Sequence, residues 1–186
     1  GATLGIWTPQ GFNEGRLAQT RYFSGRRATL DLACKPKPDE ATLRQELNDL
    51  QNEIAAADAI GDALTARNAT AQAERIRRWL GRLPDIPESG ILPFEYSIYR
   101  LGDAIWITCG GEPYNAIIEV LRRRFPDVQL IFSPVAGDLQ VAHLLPKDRY
   151  GLGLYQEEPS ILAPGCLEAL TETLAEWITE LSDDGV

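Results

Sequence analysis

The chain has no methionine, one histidine (His143) and three cysteines, and each shortage removes a class of chemistry. One histidine cannot build a His-rich metal centre. Cys34, Cys109 and Cys166 are too scattered for a CxxC metal motif and too few for a disulfide framework. Cys109 closes an apolar run and reads as a small core residue. No stretch approaches the ~18 consecutive apolar residues of a membrane span. A Gly-x-Ser-x-Gly elbow, a Walker loop and a glycine-rich dinucleotide fingerprint are all missing, and Gly151-x-Gly153 lacks the strand-then-helix context that would give it meaning. Positive charge is also scarce: 18 Lys and Arg face 27 Asp and Glu, a net charge of −9. That balance argues against nucleic acid or an anionic membrane as partner. The basic clusters at Arg75–Arg78 with Arg82, and at Arg122–Arg124, fall in helical patterns. A solvated, salt-bridged face is the simpler reading there, and a phosphate-binding surface is the alternative. A chain that opens Gly-Ala-Thr without methionine is expected to be a processed product or a piece of a longer protein.

What is present suits one domain, or one domain fragment, of 186 residues with a real core. Residues 1–27 have no clear period and are expected to form an irregular arm with one short strand near Leu4–Trp7. Residues 28–186 are expected to be an α/β core. Strands are predicted over 28–33, 94–100, 104–109 and 128–132. The third, Ala-Ile-Trp-Ile-Thr-Cys, reads as buried on both faces. Leu43, Leu47, Leu50 and Ile54 mark one helix, capped by Asp39. Ala69, Ala73, Ile76 and Leu80 mark a second, capped by Asp62 after a break at Gly61. Together they predict a helical hairpin covering one side of a mixed sheet, and Leu167 to Leu181 predicts a C-terminal amphipathic helix.

Candidate chemistry gathers between Gly102 and Pro146. The third strand runs into Gly110-Gly111-Glu112-Pro113, a corner where Pro113 suits a first helical position and Glu112 would feel the helix dipole. After the next helix and strand come Asp138 and His143. If the two strands are parallel, both groups lie on the sheet edge where ligand sites of open α/β sheets gather. Read alone, Glu112 is a solvated acid at a helix start, and a lone histidine in an apolar context such as His143 is more often a satisfied, partly buried side chain than a ligand. A serine triad would have to recruit His143 with Ser133 and Asp138, and nothing in their spacing marks one.

The run Arg100-Leu-Gly-Asp-Ala-Ile-Trp106, then Gly110-Gly-Glu-Pro113, Asp138 to Pro146, Tyr150, Gly153-Leu-Tyr155, Ala163-Pro-Gly165 and the final helix resembles the second half of the catalytic domain of neutral/alkaline non-lysosomal ceramidases. The resemblance covers about 92–181 and grows diffuse over 28–91. It implies zinc chemistry on the N-acyl amide of a lipid such as ceramide, with Glu112 and His143 at metal positions and Asp138, Tyr150 and Tyr155 nearby in the cleft. Counted back without gaps from Tyr155 and Tyr150, His143 stands where that family has tyrosine (a one-residue shift would put Leu144 there, which cannot ligate zinc), Asp138 where it has asparagine, and Gln156 where it has glutamate. In that family two histidines and a serine come from an upstream half that this chain lacks. The resemblance therefore implies the C-terminal portion of an amidohydrolase, inactive alone, whose partners would be the upstream half and a small lipid amide. A non-catalytic α/β binding or interaction module that kept the fold is the alternative. No catalytic residue is identifiable, and the residues carry no cellular address, although members of that family are often secreted or membrane-associated.

Overall fold

The computed structural model describes residues 23–137 and 139–183. Along the chain run β1 (Phe23–Ala33), α1 (Glu40–Ile60), α2 (Ala63–Arg82), β2 (Ile91–Leu101), β3 (Ala104–Cys109), β4 (Glu112–Pro113), α3 (Ala116–Arg124), β5 (Gln129–Pro134), β6 (His143–Leu144) and α4 (Cys166–Asp183). A four-stranded sheet in the order β1-β2-β3-β5 forms the centre. β1 and β3 each run antiparallel to β2, whereas β3 and β5 are parallel and joined through α3. This is the mixed α/β architecture that the alternating periods predict.

Local signals account for the joins. Asp39 accepts a hydrogen bond from the Thr42 amide at 2.8 Å, and Asp62 accepts one from the Thr65 amide at 3.1 Å, capping α1 and α2. Between them Gly61 takes φ 75, a left-handed conformation that glycine adopts without steric penalty. Ala57, Ala66, Ala69 and Ala73 are buried where the helices of the hairpin meet. The hairpin enters the main core at its base, through Leu43, Ile76, Trp79, Leu80 and Leu83. Gly102-Asp103 links Leu101 to its partner Ala104 in a two-residue turn, with φ 61 at Gly102.

One face of the sheet is sealed. Phe94, Tyr96 and Ile98 of β2 and Ile105, Ile107 and Cys109 of β3 are buried there, together with Ile117 and Leu121 of α3 and Leu170, Leu174 and Ile178 of α4. Polar contacts fasten α4 across it. Arg26 of β1 lies 4.0 Å over the Trp177 ring, the Trp177 indole donates to the Tyr96 hydroxyl at 2.8 Å, and Arg100 donates to the Leu181 carbonyl at 2.6 Å.

Two expectations need correction here. β1 begins at Phe23, so residues 23–27 belong to a strand instead of an arm. Their mixed composition hides a ladder in which every residue from Phe23 to Ala33 has a partner on β2. The expected strand near Leu4–Trp7 lies outside the described residues. Nor is β3 buried on both faces: Trp106 on its other side is half-exposed. Among the described residues, aromatic rings line that face. Phe23 stacks on Tyr99 with centroids 5.9 Å apart, Tyr99 leans on Trp106 at 5.6 Å, and the Trp106 indole donates to Ser133 at 3.0 Å. Tyr99 lies so flat against its cross-strand partner Gly25 that a Cβ on that glycine would fall 2.1 Å from the ring.

Burial has a measurable consequence at Cys109. Desolvation pushes its thiol from an ordinary value near 9 up to about 11, against a smaller opposing effect from a hydrogen bond with the Gly111 backbone. Below pH 9 the thiol is neutral whether the chain is folded or not. Between 9 and 11 the unfolded chain ionises it and the folded chain does not, so stability falls as pH rises through that window, by about 2–3 kcal/mol in all. Denaturant midpoints of the wild type and Cys109→Ala between pH 8 and 11.5 check this. The wild type should lose the larger share, and parallel curves would show the burial effect to be absent.

Candidate functional site

The site is built where the chain leaves the parallel strands. After Cys109, Gly110 and Gly111 carry the backbone off the sheet, and the loop following β5 folds back against them. The Val135 amide donates to the Gly111 carbonyl (3.0 Å), Ala136 to Cys109 (3.0 Å) and Gln140 to Gly110 (2.8 Å). Val135 is held at φ 56, a strained position for a β-branched residue. Gly111 is buried so tightly that a Cβ there would meet Leu144 at 2.8 Å, Val141 at 2.9 Å and Phe94 at 3.2 Å. That close approach lets a second, two-stranded ladder form, with β4 parallel to β6 and Glu112 directly opposite His143. The Glu112 amide donates to Ala142 at 2.8 Å, and the Tyr114 amide to Leu144 at 3.0 Å.

Glu112 is thus not at a helix start. It sits in a strand, and α3 begins only at Ala116 after Asn115. Its backbone is taken by β6, which is why Pro113 does not open the helix. The ladder puts the two side chains together: Glu112 Oε2 is 3.2 Å from His143 Nδ1, with the carboxylate side chain 44% and the imidazole 21% exposed. Atoms 3.2 Å apart can share a metal ion at about 2 Å from each, or the carboxylate can accept from Nδ1, fix the ring and leave Nε2 for a ligand or a proton.

The other candidates fare differently. Asp138 lies outside the described residues. Tyr150 donates its hydroxyl to the Leu162 carbonyl at 3.1 Å, and burial pushes its phenol upward. It reaches His143 only through Ser160, which lies beside its hydroxyl and donates to the His143 carbonyl at 2.7 Å. Tyr155 is exposed. Ser133 is occupied by Trp106.

Residues without a visible sequence signal also hold the site. Ser160 is fully buried and fixes the His143 backbone from below. Gln140 pins its loop to β2 by accepting from the Glu95 amide at 2.7 Å. A broad concavity of about 500 Å³ opens nearby, between Phe23, Tyr99 and Trp106 on the sheet and Gly137 and Gln140 on the loop, but neither Glu112 nor His143 lines it.

Tetrahedral zinc takes three or four protein ligands. Among the described residues no group of three His, Cys, Asp or Glu side chains could hold a metal ion. Glu112 and His143 are the right donor types in the wrong number, so the residues present fit part of a zinc shell and not a whole one.

No family model matches the chain, and no curated protein does. Among solved structures there is a match to one described as "Ceramidase complexed with C2", at 12% identity and a TM-score of 0.35, covering 46% of this chain and 14% of the other. This chain therefore spans about a seventh of that protein, and a likeness of that size assigns neither fold nor family.

Proposed function

We propose that the chain is a non-catalytic α/β module whose working feature is the Glu112–His143 pair, a partial divalent-metal site completed by ligands from outside the described residues. The observation that carries this reading is the 3.2 Å contact between a carboxylate and the chain's single imidazole, held opposite each other by a dedicated two-stranded ladder. Zinc suits a site of one imidazole and one carboxylate, and when bound it would supply a Lewis acid. This chain's own part is to supply and position two donors: the ladder holds the Glu112 carboxylate beside the His143 ring, Ser160 holds the backbone behind it, and Gly111 permits the approach.

A finer reading places the module in a ceramidase-like amidohydrolase acting on the N-acyl bond of a lipid. It is supported by the sequence pattern from Arg100 to Gly165. In it the upstream half of the domain would bring the missing ligands and the nucleophile system.

Cobalt(II) titration followed by visible absorption tests the module reading. Complete structural zinc sites bind with roughly 10–16 kcal/mol; two ligands should leave about half of that, so affinity should be weaker than about 1 μM. His143→Ala and Glu112→Gln should each abolish the cobalt signal. Cobalt binding that survives both substitutions would remove the pair from the site. The isolated chain supplied with zinc should leave a fluorogenic N-acyl amide unhydrolysed, and turnover lost on chelation would refute the non-catalytic assignment.

A further inference from the structure

Two of the cysteines meet where the sheet joins α4. Cys166 opens that helix, is 5% exposed and places its Sγ 3.3 Å from the Ala33 carbonyl oxygen. Cys34 is the next residue. A trans peptide sets a carbonyl oxygen about 2.8 Å from the following Cα, so the Cys166 sulfur lies no more than about 6 Å from Cys34 Cα. The Cys34 sulfur, about 2.8 Å from that Cα, swings with its rotamer, so even at that limit the two sulfurs can approach to about 3 Å, and a movement of about 1 Å completes a bond of about 2.05 Å. Both residues pack on the same apolar cluster. Burial is the main cause that raises the Cys166 thiol, and a charge on Cys34 adds to it, which places Cys34 within electrostatic reach of Cys166.

The surroundings hold the two in place. Cys34 pairs with Leu162 in an isolated bridge, its amide donates to Gly90 at 2.8 Å, the Lys35 amide to Ile161 at 2.8 Å and the Ala163 amide to Ala33 at 2.9 Å. The strap at 160–163 is thus clamped between β1 and α4. Its first residue, Ser160, is the one that holds His143.

We infer that Cys34 and Cys166 form a redox-operated fastener, a disulfide that ties the end of β1 to the start of α4 beside the strap supporting His143. Both S–H bonds break and one S–S bond forms. The two electrons and two protons pass to a two-electron oxidant, a peroxide that leaves as water or, in the test, diamide that leaves as the hydrazine. Burial raises both thiols above their ordinary value, so thiolate is scarce near neutrality and the bond forms faster at pH 9 than at pH 7. Closing so long a loop restricts the unfolded chain strongly.

The folded full chain is treated with diamide at pH 8.5 and mapped by non-reducing peptide mass spectrometry. The expected result is one intramolecular Cys34–Cys166 bond and a thermal midpoint raised by about 5–10 °C, reversed by dithiothreitol. Cys109→Ala should keep both effects. Cys166→Ser and Cys34→Ser should each abolish them. A native chain that stays reduced while its urea-unfolded form oxidises readily would overturn the inference. So would a bond that recruits Cys109, or one that lowers the midpoint.

Discussion

Replacing Phe94 by alanine should destabilise the protein by about 3–5 kcal/mol, the usual range for emptying a large aromatic site in a closed core. Phe94 is fully buried at the crossing of β2 with the loop elements, opposite Leu30 of β1 and within reach of Gly111. Its removal leaves a space bounded by Gly111, Val141 and Leu144, residues whose backbones hold β4 against β6, so collapse into that space would distort the second ladder. Urea unfolding monitored by tryptophan fluorescence should show a lower midpoint with the slope retained. A loss below about 1 kcal/mol would mean that the neighbours close the gap freely, and that the ladder is softer than described.

The second large effect runs the other way, by adding volume. Gly111→Val should cost about 3 kcal/mol, because its Cβ alone would stand under 3 Å from both Leu144 and Val141. The two side chains are the inner wall of the β6 segment, so relief requires β6 to move away from β4. His143 would then leave Glu112. The smaller Gly111→Ala should cost roughly 1–3 kcal/mol and abolish cobalt binding without touching either ligand. The two sites share one space, which permits a sharper check. In a Phe94→Ala, Gly111→Ala double variant the new methyl can turn into the room left by the ring, and the combined loss should be smaller than the sum of the two single losses. Simple additivity would show that Phe94 does not border Gly111 energetically.

Much of the fold was legible because its signals are chemical and local. Asp39, Gly61 and Asp62 mark the helical hairpin, Gly102-Asp103 marks the tight turn, and the apolar runs on either side of α3 mark the parallel pair. The site was legible in part. The crossover argument brings Glu112 and His143 to one edge, and the structure has them there as a contacting pair. What escaped was whatever lacks a period. A ladder of two-residue strands has no alternation to read, so β4 and β6 leave no pattern in the sequence and Glu112 reads as the start of a helix. Ser160, between Pro159 and Ile161, looks like any loop serine until its hydroxyl is seen under the His143 carbonyl. The half-exposed sheet face escaped for another reason. Trp106 and Tyr99 are apolar enough to suggest a covering layer, yet they pack on each other and on Gly25.

The placement of the helical hairpin bears on how fast the chain folds. β1 and β2 are direct neighbours in register, yet the whole of α1 and α2 is threaded between them, and the Cys34 amide touches the Gly90 carbonyl across the gap at 2.8 Å. Bringing those ends together from a random coil would carry a closure entropy of roughly 3–4 kcal/mol for a segment of that length. Two antiparallel helices zip from Gly61 through contacts close in sequence, on a microsecond scale, and as they do so they draw residues 34 and 90 toward each other. The longest strand pairing in the sheet can then begin at Ala33 and Ile91 and run outward to Phe23 and Leu101, as though the intervening segment were a short turn. The hairpin thus acts as a kinetic tether, converting a slow, distant encounter into a local one.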